Sequence, residues 1–182
     1  LQGIVNNFVC GLILLFERPV KVGDLIEIGT QWAQIKRIGL RATVVETFDR
    51  AEVVVPNSDL VNNKVTNWTL SSRNSRLIVP VGVAYGSMVP RVIELLQQCA
   101  AEHPRVMKNP PPQVLFMKFG ESSLDFELRV YVDVEDRLDV QSELHQAIDR
   151  QFREAGVEIP FPKRDLYIRS AKTSDPEDPP LA

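Results

Sequence analysis

The sequence predicts an α+β chain in three consecutive parts: an apolar amino-terminal helix, a small β-barrel of short strands, and a β-α-β-β-α-β unit. Three patterns carry this expectation. Residues 1–16 are uncharged and mostly apolar, and Glu17, Arg18 and Pro19 stop them abruptly. Residues 24–70 hold short runs dense in β-branched and aromatic residues, punctuated by turn formers such as Gly23, Gly29, Gly39, Asp49 and Asn57. From Arg76 onward, period-two strands alternate with runs of helical period. Composition fits one or two folded domains, with 44% hydrophobic and 25% charged residues in 182. A net charge of -3 provides no broad basic footprint and argues against nonspecific nucleic-acid binding.

A helix over residues 1–16 rises about 24 Å at roughly 1.5 Å per residue, whereas a bilayer core is about 30 Å thick and takes about 20 residues. It is too short to span alone and reads as the tail end of a membrane helix that begins upstream. A signal peptide fits worse, because the charged segment before the apolar run and the small-residue cleavage site after it are both missing. Gly3, Asn7 and Gly11 recur every four residues on one face, with Cys10 and Leu14 beside them. Such a stripe lets helices approach closely, and the amides of Asn6 and Asn7 suit a partner helix or a watery lumen. The same pattern also fits a core helix of a soluble domain, crossed by another element at its glycines. Arg18 and Lys21, then Arg37 and Arg41, favour a cytoplasmic exit, diluted by Glu17 and Asp24. Pro19 lacks the donor to continue the helix, and Arg18 is placed to meet the last carbonyls or lipid headgroups.

Strands are expected over 24–28, 32–38, 40–48, 51–55 and 65–70, with Pro56-Asn57-Ser58 turning the chain after the most apolar of them. Next come a strand over 76–85 and a helix over 88–101, its inner face Val89, Val92, Ile93, Leu96 and Ala100. Ser87 is the expected cap, and Pro90 sits harmlessly in the first turn. A proline-rich connector leads to a strand over 113–119, a turn at Gly120-Glu121, and a strand whose Leu124, Phe126, Leu128, Val130 and Val132 share one face. The second helix places Val140, Leu144, Ala147, Ile148 and Phe152 inward with Gln151 at the margin, Asp139 as cap and Gly156 as terminator. This order resembles a ferredoxin-like split unit. Its last strand is either 157–159 or 165–171, with Pro160-Phe161-Pro162-Lys163 between them, and the acidic, proline-rich end is expected to be disordered.

Catalytic signatures are scarce. Phosphate-loop, zinc-protease and nucleophile-elbow patterns are missing, as is paired Cys or His spacing for zinc. Ser142, His145 and Asp149 lie within reach on one helix, but lack the converging supports of a triad and read as a solvated face. His103 reads as a surface or capping residue, and Trp32 and Trp68 as core or subunit-contact residues. Cys10 and Cys99 form neither a C-x-x-C nor a disulfide framework, which suits a reducing compartment. The expectation is no enzyme and no cofactor or metal.

Three ordered blocks, NNFVCGLILLFERPVKVGDLIEIG, VVVPNSDLVNNKVTNW and RLIVPVGVAYGS, resemble the mechanosensitive channels of small conductance, the MscS family. The details ERPVKVGD, FDRAEVVVPN, GVAYGS and EHPRVM look most like its large MscK-like members, and the resemblance covers approximately residues 1–171. It implies the carboxy-terminal part of one subunit: residues 1–19 as the second half of a pore-lining helix, 20–75 as an Sm-like β domain, 76–162 as a ferredoxin-like domain, and 163–171 as a strand. In that strand Leu166, Tyr167, Ile168 and Arg169 would join copies from other subunits in a parallel barrel, and 172–182 would follow as a disordered tail. It further implies a homo-oligomer of seven subunits in a bacterial inner membrane, with the bulk of this chain in the cytoplasm. Pore helices would pack through Gly3, Asn7 and Gly11, Arg18 and Pro19 would form a rigid elbow, and ions and small osmolytes would pass through a hollow vestibule. The constriction of such pores lies in the half-helix that precedes this chain. Partners are then lipid, permeant solutes and other copies, without nucleic acid. The alternative from another class is a soluble oligomeric module binding RNA or a regulatory ligand.

Overall fold

The computed structural model describes residues 2–162 and realises a mixed α+β fold with two antiparallel sheets. Helix α1 (Gln2–Glu17) leads into β1 (Leu25–Ile28), β2 (Gln31–Ile38), β3 (Ala42–Thr47), β4 (Glu52–Pro56), the short helix α2 (Asn57–Asn62) and β5 (Val65–Asn67). These strands form one sheet in the order β4-β3-β2-β1-β5. Neighbours in sequence pair through tight turns, and β5 returns to the outer side of β1 with Ile26 opposite Asn67. Leu14 and Val20 from the helix and its exit pack on Ile26, Ala33, Ile35, Val45, Val55 and Leu60 in one apolar core.

A second core lies under the sheet β6-β8-β7, made of β6 (Asn74–Val83), β7 (Gln113–Phe119) and β8 (Leu124–Asp133), with α3 (Val89–Glu102) and α4 (Arg137–Ala155) on one face. Alternation along β8 sends Leu124, Phe126, Leu128, Val130 and Val132 inward. There they meet Val92, Leu95, Leu96 and Cys99 of α3 and Val140, Leu144, Ile148 and Phe152 of α4. Gly156 ends α4 at φ 69°, a left-handed conformation that a residue without Cβ adopts freely.

Several local expectations need correction. Ser87 does not cap α3: the N-cap is Met88, without a side-chain cap bond, and Pro90 does occupy the first turn. Asp139 does not cap α4, because a 3-10 turn over Val134–Asp136 starts the rotation early and leaves Asp139 inside the first turn. The side chain that caps there is Asp133, which accepts from the Glu135 amide. Residues 157–159 form no strand; the Ala84 amide donates to the Glu158 carbonyl at 2.8 Å, and the chain then meets Pro160. The strand expected at 65–70 stops at Asn67, and the alternative last strand, 165–171, lies outside the described residues.

Polar ties close the ends of the second unit. Arg73 pairs with Asp133 at 3.0 Å and with Glu135 at 2.8 Å, and its guanidinium beside Asp133 holds that carboxyl below the usual carboxylate range. Arg105 joins Glu143 and Asp136, while the His103 ring, at the end of α3, shares Glu143 at 2.9 Å. Hydrogen bonds from Arg105 first, then His103, hold Glu143 low as well. Of the two roles expected for His103, it holds the capping position at the end of α3, and its buried side chain is not a surface group.

Two outcomes follow from burial and charge here. Because Asp133 binds its proton less readily when folded, its contribution is present above its unfolded pKa and is lost as pH falls through the native value. Asp133→Asn should therefore flatten the fall of the urea midpoint between about pH 5 and 2. Burial pushes the Cys99 thiol up to about 11, so near pH 8 it should react with an aromatic disulfide reagent only as fast as the chain unfolds.

Candidate functional site

The site of interest is the seam where α1 meets the first sheet. Strand β4 ends at Pro56, whose side chain cannot cap α2, so the amides of that helix's first turn need acceptors from elsewhere. Asn7 of α1 supplies one: its Oδ1 accepts from the Ser58 amide at 2.9 Å, while its Nδ2 donates to Gly3 carbonyl one turn back. Asn57 is wholly buried and fully engaged. It accepts from Thr43 Oγ1 at 2.9 Å, its Nδ2 donates to the Gly39 carbonyl at 3.0 Å, and its amide donates to Arg41.

Gly11 packs directly on this knot. A Cβ there would overlap the Leu40 carbonyl oxygen and lie 2.7 Å from Asn57 Nδ2, so only glycine allows the helix this close. Cys10, Gly11 and Leu14 are the buried residues of α1. Of the predicted stripe, Asn7 and Gly11 therefore meet the chain's own α2 and the turn after β2. Gly3 has nothing within 4 Å of its Cβ direction and opens on a 420 Å³ cavity with Ile4, Asn7, Arg41 and Val54.

The exit from α1 is fastened by a second set of bonds. Arg18 adopts φ 51°, a conformation that costs an L-residue about 1–3 kcal/mol, and its Nε reaches back to the Leu15 carbonyl at 3.4 Å. Beyond it, Asn67 Nδ2 donates to both the Pro19 carbonyl at 3.1 Å and Asp24 Oδ2 at 2.7 Å, and Asp24 also accepts from the Lys21 amide. Arg18 and Pro19 thus sit at a turn tied to β5.

The opposite side of α1 is bare. Ile4, Val5, Phe8, Val9, Leu15 and Phe16 are all exposed, Phe16 by 84%. No helix among the described residues is long and apolar enough to cross a membrane. The reading of α1 as an enclosed core helix accounts for one stripe of it alone.

Among the described residues the expected polar helix face does not assemble into a catalytic set. Ser142 accepts from Gln146, Asp149 pairs with Arg153 and His145 is exposed, so these three do not converge. Among the described residues no cluster of His, Cys, Asp or Glu could hold a metal. Trp32 and Trp68 lie outside both cores, half-buried and stacked on each other at 4.9 Å. Leu166, Tyr167, Ile168 and Arg169 lie outside the described residues.

Two family matches divide the chain in the same way as the two cores. Residues 3–70 match the family described as Mechanosensitive ion channel, beta-domain, and residues 77–159 match Mechanosensitive ion channel MscS, C-terminal. The chain belongs to the MscS family of mechanosensitive ion channels. This is a family of channels, not enzymes. The Mechanosensitive channel MscK of Escherichia coli is 44% identical over 173 residues, which cover 94% of this chain and 15% of that protein. An uncharacterized MscS family protein of Haemophilus influenzae is 44% identical over 176 residues, 96% of this chain and 16% of its own length. The chain therefore spans about a sixth of these relatives. The crystal structure of Helicobacter pylori MscS in its closed state matches with a TM-score of 0.86 at 29% identity, covering 93% of this chain and 67% of that one.

Removing the knot tests the seam. Asn57→Ala leaves the buried Thr43 hydroxyl and the part-buried Gly39 carbonyl unpaired and should cost about 1–3 kcal/mol for the buried group by urea denaturation. Gly11→Ala should destabilise as well, since its clash is with backbone, whereas Gly3→Ala should be neutral or slightly stabilising.

Proposed function

We propose that this chain is the carboxy-terminal part of one subunit of a membrane-tension-gated channel that releases ions and small osmolytes on hypo-osmotic shock. The observation that carries the reading is the two-sided character of α1 in an MscS-family chain. One stripe is locked to the β unit by Asn7, Gly11 and Leu14, and the rest is apolar and bare. A bare apolar face suits lipid and other copies of the same helix.

In this account residues 1–19 form the second half of a pore-lining helix; of the expected packing stripe only Gly3 is open to another copy, Asn7 and Gly11 being used against the chain's own β unit, and the bare apolar face meets lipid and neighbouring helices. Residues 20–75 form an Sm-like β domain, residues 76–162 a ferredoxin-like domain, and seven copies enclose a cytoplasmic vestibule beneath a bacterial inner membrane. Leu166, Tyr167, Ile168 and Arg169 of residues 163–171 would close its base as an inter-subunit barrel, with 172–182 as a tail. Arg18 and Pro19 act as the elbow. Because the turn after them is bonded to Asn67, a tilt of the helix drags the sheet rather than bending a loose linker. Tension favours whichever state occupies more membrane area, so gating needs only a difference in coupling between two states. Family membership does not favour the alternative of a soluble module binding RNA or a regulatory ligand.

Patch-clamp recording of the whole protein, in bacteria lacking their own mechanosensitive channels, tests this. A tension-gated conductance is expected, with Gly11→Leu shifting the threshold or abolishing assembly. Normal membrane expression without tension-dependent current would overturn the reading, and unchanged gating in Gly11→Leu would overturn the role of the seam.

A further inference from the structure

Four flat groups stack in a column at the junction of the two units. The Arg137 guanidinium lies 5.7 Å from the Trp68 ring centre, Trp68 stacks on Trp32 at 4.9 Å and 20°, and Trp32 continues to Phe48 at 6.4 Å and 28°. Beside the column opens a cleft of about 510 Å³, with Trp32, Phe48 and Asp49 on the sheet side and Glu135, Arg137 and Leu138 on the helix side. Neither core uses these aromatics, and Phe48 is 68% exposed. The volume falls within the range of small-ligand sites, which combine mostly apolar walls with a few fixed polar groups.

The polar groups are of two kinds. Arg137 is held in place, because Nη1 donates to Ser75 Oγ at 2.6 Å and to the Arg76 carbonyl at 2.9 Å. Its Nε and Nη2 have no partner among the described residues, and neither does the Asp49 carboxylate. Glu135 is occupied by Arg73. The cleft's lining thus combines the exposed Phe48 ring with the free carboxylate of Asp49 and the free guanidinium donors of Arg137.

We propose that this cleft binds a small zwitterion carrying a methylated ammonium and a carboxylate. A trimethylated ammonium has no N–H to satisfy, is weakly hydrated, and is drawn to aromatic faces by their quadrupole. It sits against the exposed Phe48 ring beside Asp49, and the carboxylate takes the unused donors of Arg137 as a charge-assisted pair. Such an occupant touches both units at once.

The chain has two tryptophans, both in the column, so its fluorescence reports the site without a label. The chain in mild detergent is titrated with trimethylglycine, choline chloride, glycine and sodium chloride. The expected result is a saturable change with trimethylglycine at millimolar concentration, weaker binding of choline, and no saturable change with glycine or salt. Phe48→Ala, at an exposed position, should weaken trimethylglycine at least about fivefold while leaving the urea midpoint in place. Arg137→Gln should abolish the preference for trimethylglycine over choline. No saturable change with trimethylglycine, equal binding of glycine, or an unchanged affinity in Phe48→Ala would overturn the proposal. Retained preference in Arg137→Gln would overturn the place given to the carboxylate.

Discussion

The burial of one amide side chain, Asn57, sets the position of everything at the amino-terminal end. A buried carboxamide with open valences costs about 1–3 kcal/mol for each stranded group, so it persists only where partners are fixed in advance. Here they come from the turn after β2 and from Thr43 on β3. That requirement holds the turn close beneath α1. The closeness in turn demands a glycine at position 11, and it brings Asn7 within reach of the Ser58 amide. Helix, turn and short helix are thus one hydrogen-bonded body rather than parts joined by a linker.

The constraint also explains why α1 is finished on one side only. Leu14 and Val20 complete the first core, but the exposed side presents Ile4, Val5, Phe8, Val9, Leu15 and Phe16. At about 25 cal/mol per Å² of apolar surface, such a face is costly to leave in water and favourable to cover with lipid or helix. In the second unit β8 is buried between its two neighbouring strands and two helices.

Much of the architecture was legible in the residues because periodicity reports burial directly. The alternation from Leu124 to Val132 names the β8 face residue by residue; on α3 the expected face shares Val92, Leu96 and Ala100 with the core but misses Leu95 and Cys99, and Val89 and Ile93 are only partly buried. The stripe of Gly3, Asn7 and Gly11 was also visible as a face. Its local partners were not, since α2 is a helix of only 6 residues behind a Pro-Asn pair that reads as a turn. Asn57, Thr43 and Asn67 carried no pattern, because a polar knot is defined by residues distant in sequence. Capping was misread for a similar reason: Ser87 and Asp139 have the right chemistry, but Met88 and the early 3-10 turn shift the helix starts away from them.

The central claim is that Asn7 fastens α1 to α2, and amide hydrogen exchange at Ser58 in the whole protein reads that bond most directly. The account predicts that the Ser58 amide, held by Asn7 Oδ1, exchanges slowly and that Asn7→Ala releases it selectively while β8 amides keep their protection. Exchange of Ser58 at the rate of an open turn in the unsubstituted protein, or no change on Asn7→Ala, would contradict it.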